Sequence, residues 1–238
     1  AYDSGHDSAG APALQPSWFF AEGSTGPFFE QYLLLGNPGT SPVPVRVTYL
    51  LPGGPTPPVT YVVPARSRYT VLVNAERPAP GVSLASTDVS MVVEAEAPIV
   101  AERAMWWPGG PAAWREAHVS LGAEGTCARW VVAEGQADAT TATYVLVANP
   151  GLTPAAVRAT LLREGASPLT TDLVVGAGAR HTIDVAHTFP AAIGGRFGML
   201  VEPAGSETPS LVVEWAMYAD GHGVRWGAGA AAQGTCVP

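Results

Sequence analysis

In Val43-Pro44-Val45-Arg46-Val47-Thr48-Tyr49 every second side chain is apolar and the intervening ones are mostly not. A period of two puts the apolar set on one face of an extended strand and leaves the other face wet, as in an antiparallel sheet. Short runs rich in Val, Leu, Tyr and Thr follow the same logic at Gln31 to Leu35, Val43 to Leu51, Val59 to Val63, Tyr69 to Val73, Val89 to Glu94 and Ile99 to Met105. Turn clusters such as Asn37-Pro38-Gly39 and Pro52-Gly53-Gly54-Pro55 separate them. A second series occupies Thr143 to Val147, Val157 to Leu162, Leu169 to Val175, His181 to Val185, Met199 to Glu202 and Leu211 to Met217. No stretch holds a helical period; Ala75 to Pro80 and Ala186 to Ala192 each have room for a single turn. Seven or eight short strands in about 110 residues predict an immunoglobulin-like antiparallel β-sandwich, so the whole chain is expected to be all-β.

The two series are related by a constant offset. Trp18-Phe19-Phe20-Ala21-Glu22-Gly23 returns as Trp130-Val131-Val132-Ala133-Glu134-Gly135, a shift of 130 − 18 = 112 positions. Tyr32 meets Tyr144, Asn37-Pro38-Gly39 meets Asn149-Pro150-Gly151, and Arg68 meets Arg180. After small insertions the register recovers with Glu102 on Glu214 and Ala104-Met105 on Ala216-Met217. A period this long predicts two tandem immunoglobulin-like sandwiches, 18–129 and 130–238, joined by the short link Glu124 to Arg129. Tyr2-Asp3-Ser4-Gly5-His6 resembles Tyr218-Ala219-Asp220-Gly221-His222. Residues 1–17 are therefore expected to be an extra strand resembling the end of a preceding repeat, either cut from a longer array or donated to a neighbouring molecule by strand exchange.

Composition narrows the classes of partner. Of 238 residues 47% are hydrophobic, and 27 Gly with 23 Pro require many turns. No apolar run approaches the roughly 20 residues of a spanning helix, so membrane insertion is not expected. Only 13% of residues are charged, the net charge is −8, and every one of the 12 cations is Arg. No basic stripe of the kind nucleic acid needs is present, so nucleic acid is not an expected partner. A surface of small neutral residues suits packing against copies of itself.

Cys127 and Cys236 sit in matching contexts, Gly125-Thr126-Cys127 and Gly234-Thr235-Cys236. If they close two stacked units they lie too far apart for a bond limited to about 7 Å between Cα atoms. A disulfide within the chain then requires the units to fold back side by side; otherwise the thiols are free or pair with another molecule.

Three charged pairs kept in both series are candidate site residues: Glu22 with Glu134, Arg68 with Arg180, and Glu102 with Glu214. Glu102 follows the apolar run Ile99-Val100-Ala101, where an ionised carboxylate needs a partner. A buried Glu–Arg–Glu cluster is expected in each unit, structural in role; the catalytic counterpart would be paired carboxylates. The histidines His6, His118, His181, His187 and His222 match no zinc or calcium template, and His6 and His222 read as turn residues beside Asp3 and Asp220. No Gly-x-Ser-x-Gly, His-Glu-x-x-His or phosphate-binding glycine loop is present. Neither catalysis nor a metal or other cofactor is expected. Aromatics are the remaining candidates: Trp106, Trp107 and Trp114 crowd one loop region, and Tyr218 and Trp226 occupy the matching region of the second series. Such rings either cement neighbouring domains or subunits or stack on sugar faces.

Trp18–Thr25, Tyr32–Pro38 and Val100–Trp106 together resemble the tandem Trp-x-Phe-Ala-Glu-Gly repeats of secreted and surface proteins from high-GC bacteria. The second series departs at Gln136 for Ser24 and at Trp215 for Arg103. The resemblance implies an extracellular, non-catalytic, multi-repeat setting. The expected function is a building block of a surface stalk, sheath or filament assembled head to tail. The expected partners are copies of itself or adjacent repeats. A carbohydrate-binding or adhesive module, with a surface polysaccharide as partner, is the alternative.

Overall fold

The computed structural model describes residues 8–108, 114–221 and 223–237, and among them strands dominate. The chain forms two compact units divided between Gly125 and Thr126, the turn Pro52–Gly54 aside. The expected all-β, antiparallel architecture is present in both.

The first unit contains β1 (Gln15–Phe20), β2 (Glu30–Asn37), β3 (Val43–Leu51), β4 (Gly54–Pro55), β5 (Val59–Val63), β6 (Ser67–Leu72), β7 (Ser90–Trp107) and β8 (Glu116–Leu121). Strand β7 organises it. At 18 residues it is about three times the usual strand length, because its halves serve different neighbours. Its first half pairs with β3 through Val47↔Val93 and with β1 through Trp18↔Val93. The second half pairs with β2 through Leu34↔Glu102 and with β8 through Glu102↔Leu121. Pairing changes hands around Glu96-Ala97-Pro98, where proline has no N–H to offer a ladder. The two Val-rich runs expected as separate strands are thus continuous. Trp18, Phe20, Val45, Val47, Met91 and Val93 from one set of strands and Leu33, Leu35, Val71 and Ala101 from the other form one hydrophobic core.

The second unit contains β9 (Trp130–Val132), β10 (Gln136–Ala137), β11 (Thr141–Asn149), β12 (Ala155–Arg163), β13 (Leu169–Val175), β14 (Ala179–Asp184), β15 (Gly195–Pro203), β16 (Val212–Gly221), β17 (Val224–Gln233) and β18 (Thr235–Cys236). A single helical turn, Val185–Thr188, is capped by the Asp184 side chain. Here the counterpart of β7 is cut into β15 and β16, which lie in separate sheets ordered β13-β12-β15-β9-β18 and β14-β11-β16-β17.

The same contacts recur at the 112-residue offset. Trp18 Nε1 donates to the Ile99 carbonyl at 3.0 Å, and Trp130 Nε1 to the Leu211 carbonyl at 3.1 Å. The Asn37 side chain accepts from the Gly39 N–H and donates to the Ser41 and Val63 carbonyls. Asn149 does the same with Gly151, Thr153 and Val175. Phe19 bridges Ala123 as Val131 pairs with Thr235.

That correspondence corrects the expectation for the cysteines. Cys127 and Cys236 form a disulfide with Cα atoms 5.9 Å apart. Cys127 does not close the first unit: it bridges Leu211, as Gln15 pairs with Ile99, and so opens the second. Cys236 lies on β18, paired with Trp130. The bond clasps the first and last segments of one unit, and the positions equivalent to it in the other are Gln15 and Glu124. The proposed N-terminal strand 1–17 overlaps this frame, since Gln15 to Ser17 already belong to β1. Its resemblance to 218–222 rests on residues outside those described.

Candidate functional site

Along the second half of β7 the inward positions are Ala101, Arg103, Met105 and Trp107, all buried, while Glu102 and Trp106 point the other way. Arg103 therefore takes the buried place expected for Glu102. Its guanidinium forms an ion pair with Glu22, donates to the Glu22 backbone carbonyl at 3.0 Å, and donates to Ser120 Oγ at 3.1 Å. His118 Nε2 lies 3.4 Å from Glu22 Oε1, and the Trp107 ring lies 5.3 Å from the imidazole. Burial of this kind is tolerated only because each charge meets an opposite charge and several hydrogen-bonding groups.

The other members of the expected cluster lie elsewhere. Arg68 is exposed on β6 and donates to Thr70 Oγ1 at 2.9 Å. Glu102 is half-buried on the outer face. In the second unit Glu134 is exposed, whereas Arg180 and Glu214 are 4% and 1% exposed. Arg180 donates to Thr182 Oγ1 at 2.7 Å. It shares a sheet face with Glu214 through the pairings Ala148↔Arg180 and Leu146↔Glu214. The counterparts of Arg103, His118 and Ser120 are Trp215, Ala230 and Ala232. One unit holds an internal ion cluster where the other holds an indole and methyl groups.

The aromatic candidates separate by strand parity. Trp107 is fully buried and packs against Phe29 at 5.8 Å between centroids. Trp106, 38% exposed, lies on the opposite face 5.0 Å from Trp114, and Trp114 meets Tyr32 edge-on at 6.4 Å. Tyr32 donates to Glu30 Oε2 at 2.7 Å, and burial together with that carboxylate pushes its pKa up to about 12. Tyr144, Tyr218 and Trp226, 112 positions on, form the equivalent group: Tyr218 stacks on Trp226 at 5.0 Å and Tyr144 meets the indole edge at 6.1 Å. Tyr218 is only 5% exposed, and the Arg225 guanidinium covers Trp226 at 4.6 Å. Tyr32 and Tyr144, not singled out in the sequence, complete both groups; their shared offset was the available signal.

A shallow concavity on the first unit is lined by Leu14, Gly36, Asn37, Arg66, Arg68 and Val100, among others. Among the described residues no cluster of His, Cys, Asp and Glu has the makings of a metal site. His222 and His6 lie outside the described residues.

No family model matches the chain, and no curated protein does. Among solved structures it is similar to Thermotoga maritima 1070, with 12% identity, 47% of this chain and 96% of that one covered, and a TM-score of 0.42. It is also similar to the Anabaena sensory rhodopsin transducer, with 27% identity, coverage of 37% and 95%, and a TM-score of 0.34. Neither likeness bears on what this chain does.

Proposed function

We propose that the chain is an extracellular structural repeat protein, two immunoglobulin-like sandwiches of a tandem array that builds a surface stalk, sheath or filament head to tail. The observation that carries this reading is what the two units share. Both keep the tryptophan-to-carbonyl bond, the asparagine-pinned turn, the closing strand pairing and the outer aromatic trio. The buried Glu22–Arg103–His118 cluster of the first unit is not kept in the second, which has Trp215 and Ala230 at the positions of Arg103 and His118. Repetition has preserved the scaffold and not that cluster. The ion cluster is also sealed: Glu22, Arg103 and His118 are all buried, so no substrate reaches them. A disulfide joining the ends of the second unit supports an oxidising, extracytoplasmic setting.

Head-to-tail joining by the N-terminal segment is tested by deleting residues 1–14, which leaves β1 whole. Sedimentation of the full chain should show end-to-end oligomers that the deletion abolishes, with both units still folded by circular dichroism. Equal oligomerisation by both proteins would refute a donated strand. An adhesive module is the second reading, favoured by the exposure of Trp106 on the first unit.

A further inference from the structure

Arg66 has a left-handed backbone, φ 50°. Glycine reaches that region without strain, whereas a residue with a Cβ adopts it at a cost. The chain carries its own control: the position 112 residues on is Gly178, φ 57°. The first unit thus tolerates strain to present an arginine where its counterpart uses the residue the geometry favours. Strain of this kind collects at binding sites. The Arg66 N–H donates to the Gly39 carbonyl at 2.9 Å, which holds the turn. Among the described residues its guanidinium has no hydrogen-bond or carboxylate partner. Arg68, beside it in the concavity, spends one N–H on Thr70. Among the described residues neither cation has a carboxylate partner, in a chain of net charge −8.

The concavity continues onto a sheet face. Arg68 pairs with Gly36 and Leu72 with Tyr32, so these side chains share the outer face of β2 and β6. Four residues of strand separate the two rows, about 13 Å. At the far row stands Tyr32, packed edge-on against Trp114, and Trp106 lies two residues beyond it, opposite Glu30 and against Trp114. Glu102 occupies the middle of the face, opposite Leu34, and among the described residues no arginine is joined to it. A carboxylate there repels a ligand that is anionic along its whole length. It suits one whose middle offers hydroxyl donors. Rings for stacking, hydroxyls for Glu102 and a carboxylate for a bidentate arginine fork describe an acidic sugar chain.

We infer that the outer face of the first unit binds an oligosaccharide bearing uronic acid, with its carboxylate held by Arg66 and Arg68 and a sugar ring stacked on Trp106. The second unit lacks this site, because it has Gly178 for Arg66 and the buried Tyr218 for the exposed Trp106. The inference is independent of head-to-tail assembly.

Isothermal titration of the full chain with a hyaluronan oligosaccharide, whose uronic acids alternate with neutral N-acetylglucosamine, and with a neutral maltooligosaccharide of equal length tests it. The acidic oligomer should bind and weaken as salt rises, and the neutral one should bind at least tenfold more weakly. Arg66→Gly should lower affinity for the acidic oligomer tenfold or more while its thermal midpoint stays the same or rises, since the change removes charge and relieves the backbone. Trp106→Ala should weaken binding in the same direction. Equal binding of both oligomers, no binding at millimolar concentration, or an Arg66→Gly variant that binds like the parent would overturn the proposal. Dextran sulfate binding as tightly as the uronate would also overturn it, in favour of a general polyanion surface.

Discussion

Reducing the Cys127–Cys236 bond should destabilise the second unit and leave the first unchanged. The cysteines are 109 residues apart in sequence and enclose nearly the whole unit. In the chain-entropy model, a cross-link closing a loop of roughly 110 residues removes about 4.8 kcal/mol of unfolded-state freedom at 25 °C. Near 100 residues, each kcal/mol moves the midpoint by about 4–8 °C, so a drop of roughly 20–40 °C is expected. The location of the bond sharpens the prediction. It holds Cys127, bridged to Leu211, against β18, which pairs with β9. Without it the short edge strand β18 is free to fray. The assay is thermal unfolding of the chain and of Cys127→Ser/Cys236→Ser, with the reporter in each unit separated by protease resistance during the melt. One transition should move down and the other stay. Coincident shifts of both transitions, or no shift of either, would refute the assignment of the bond to a single unit.

Arg103→Met should cost about 3–5 kcal/mol in urea unfolding of the first unit, because it strands the buried Glu22 carboxylate. Adding Glu22→Gln should recover most of that loss; a double variant as unstable as the single one would contradict the pairing. Asp138 accepts from the Gln136 side chain at 2.6 Å and from the Thr140 and Thr141 N–H groups, which lowers its pKa from 3.8 to about 2. A depressed folded-state pKa means the stabilisation is present above pH 3.8 and lost as pH falls through about 2. Asp138→Asn should therefore melt below the parent at pH 7 and together with it near pH 2; an undiminished gap at low pH would be the contrary result.

Strand positions were legible wherever one face is buried and the other wet, as in β3 and β12. The misplacement of Glu102 came from weighing its apolar neighbours instead of the parity of the run. Ile99, Ala101, Met105 and Trp107 already fix the inward phase, and that phase puts Arg103 inside. Its replacement by Trp215 in the second unit carries the same message. The cysteines misled because identical Gly-Thr-Cys contexts masked a difference in structural position: Cys127 aligns with Gln15, and Cys236 with Glu124. The arginine concavity was invisible because a left-handed φ at Arg66 leaves no mark on the hydrophobic pattern. Only the glycine at the equivalent position hints at it.

Electron microscopy of the purified chain over a concentration series, read beside its mass in solution, tests the structural-repeat account most directly. Regular end-to-end oligomers or filaments that lengthen with concentration are the predicted result. Monomers of unchanging mass at every concentration would contradict it.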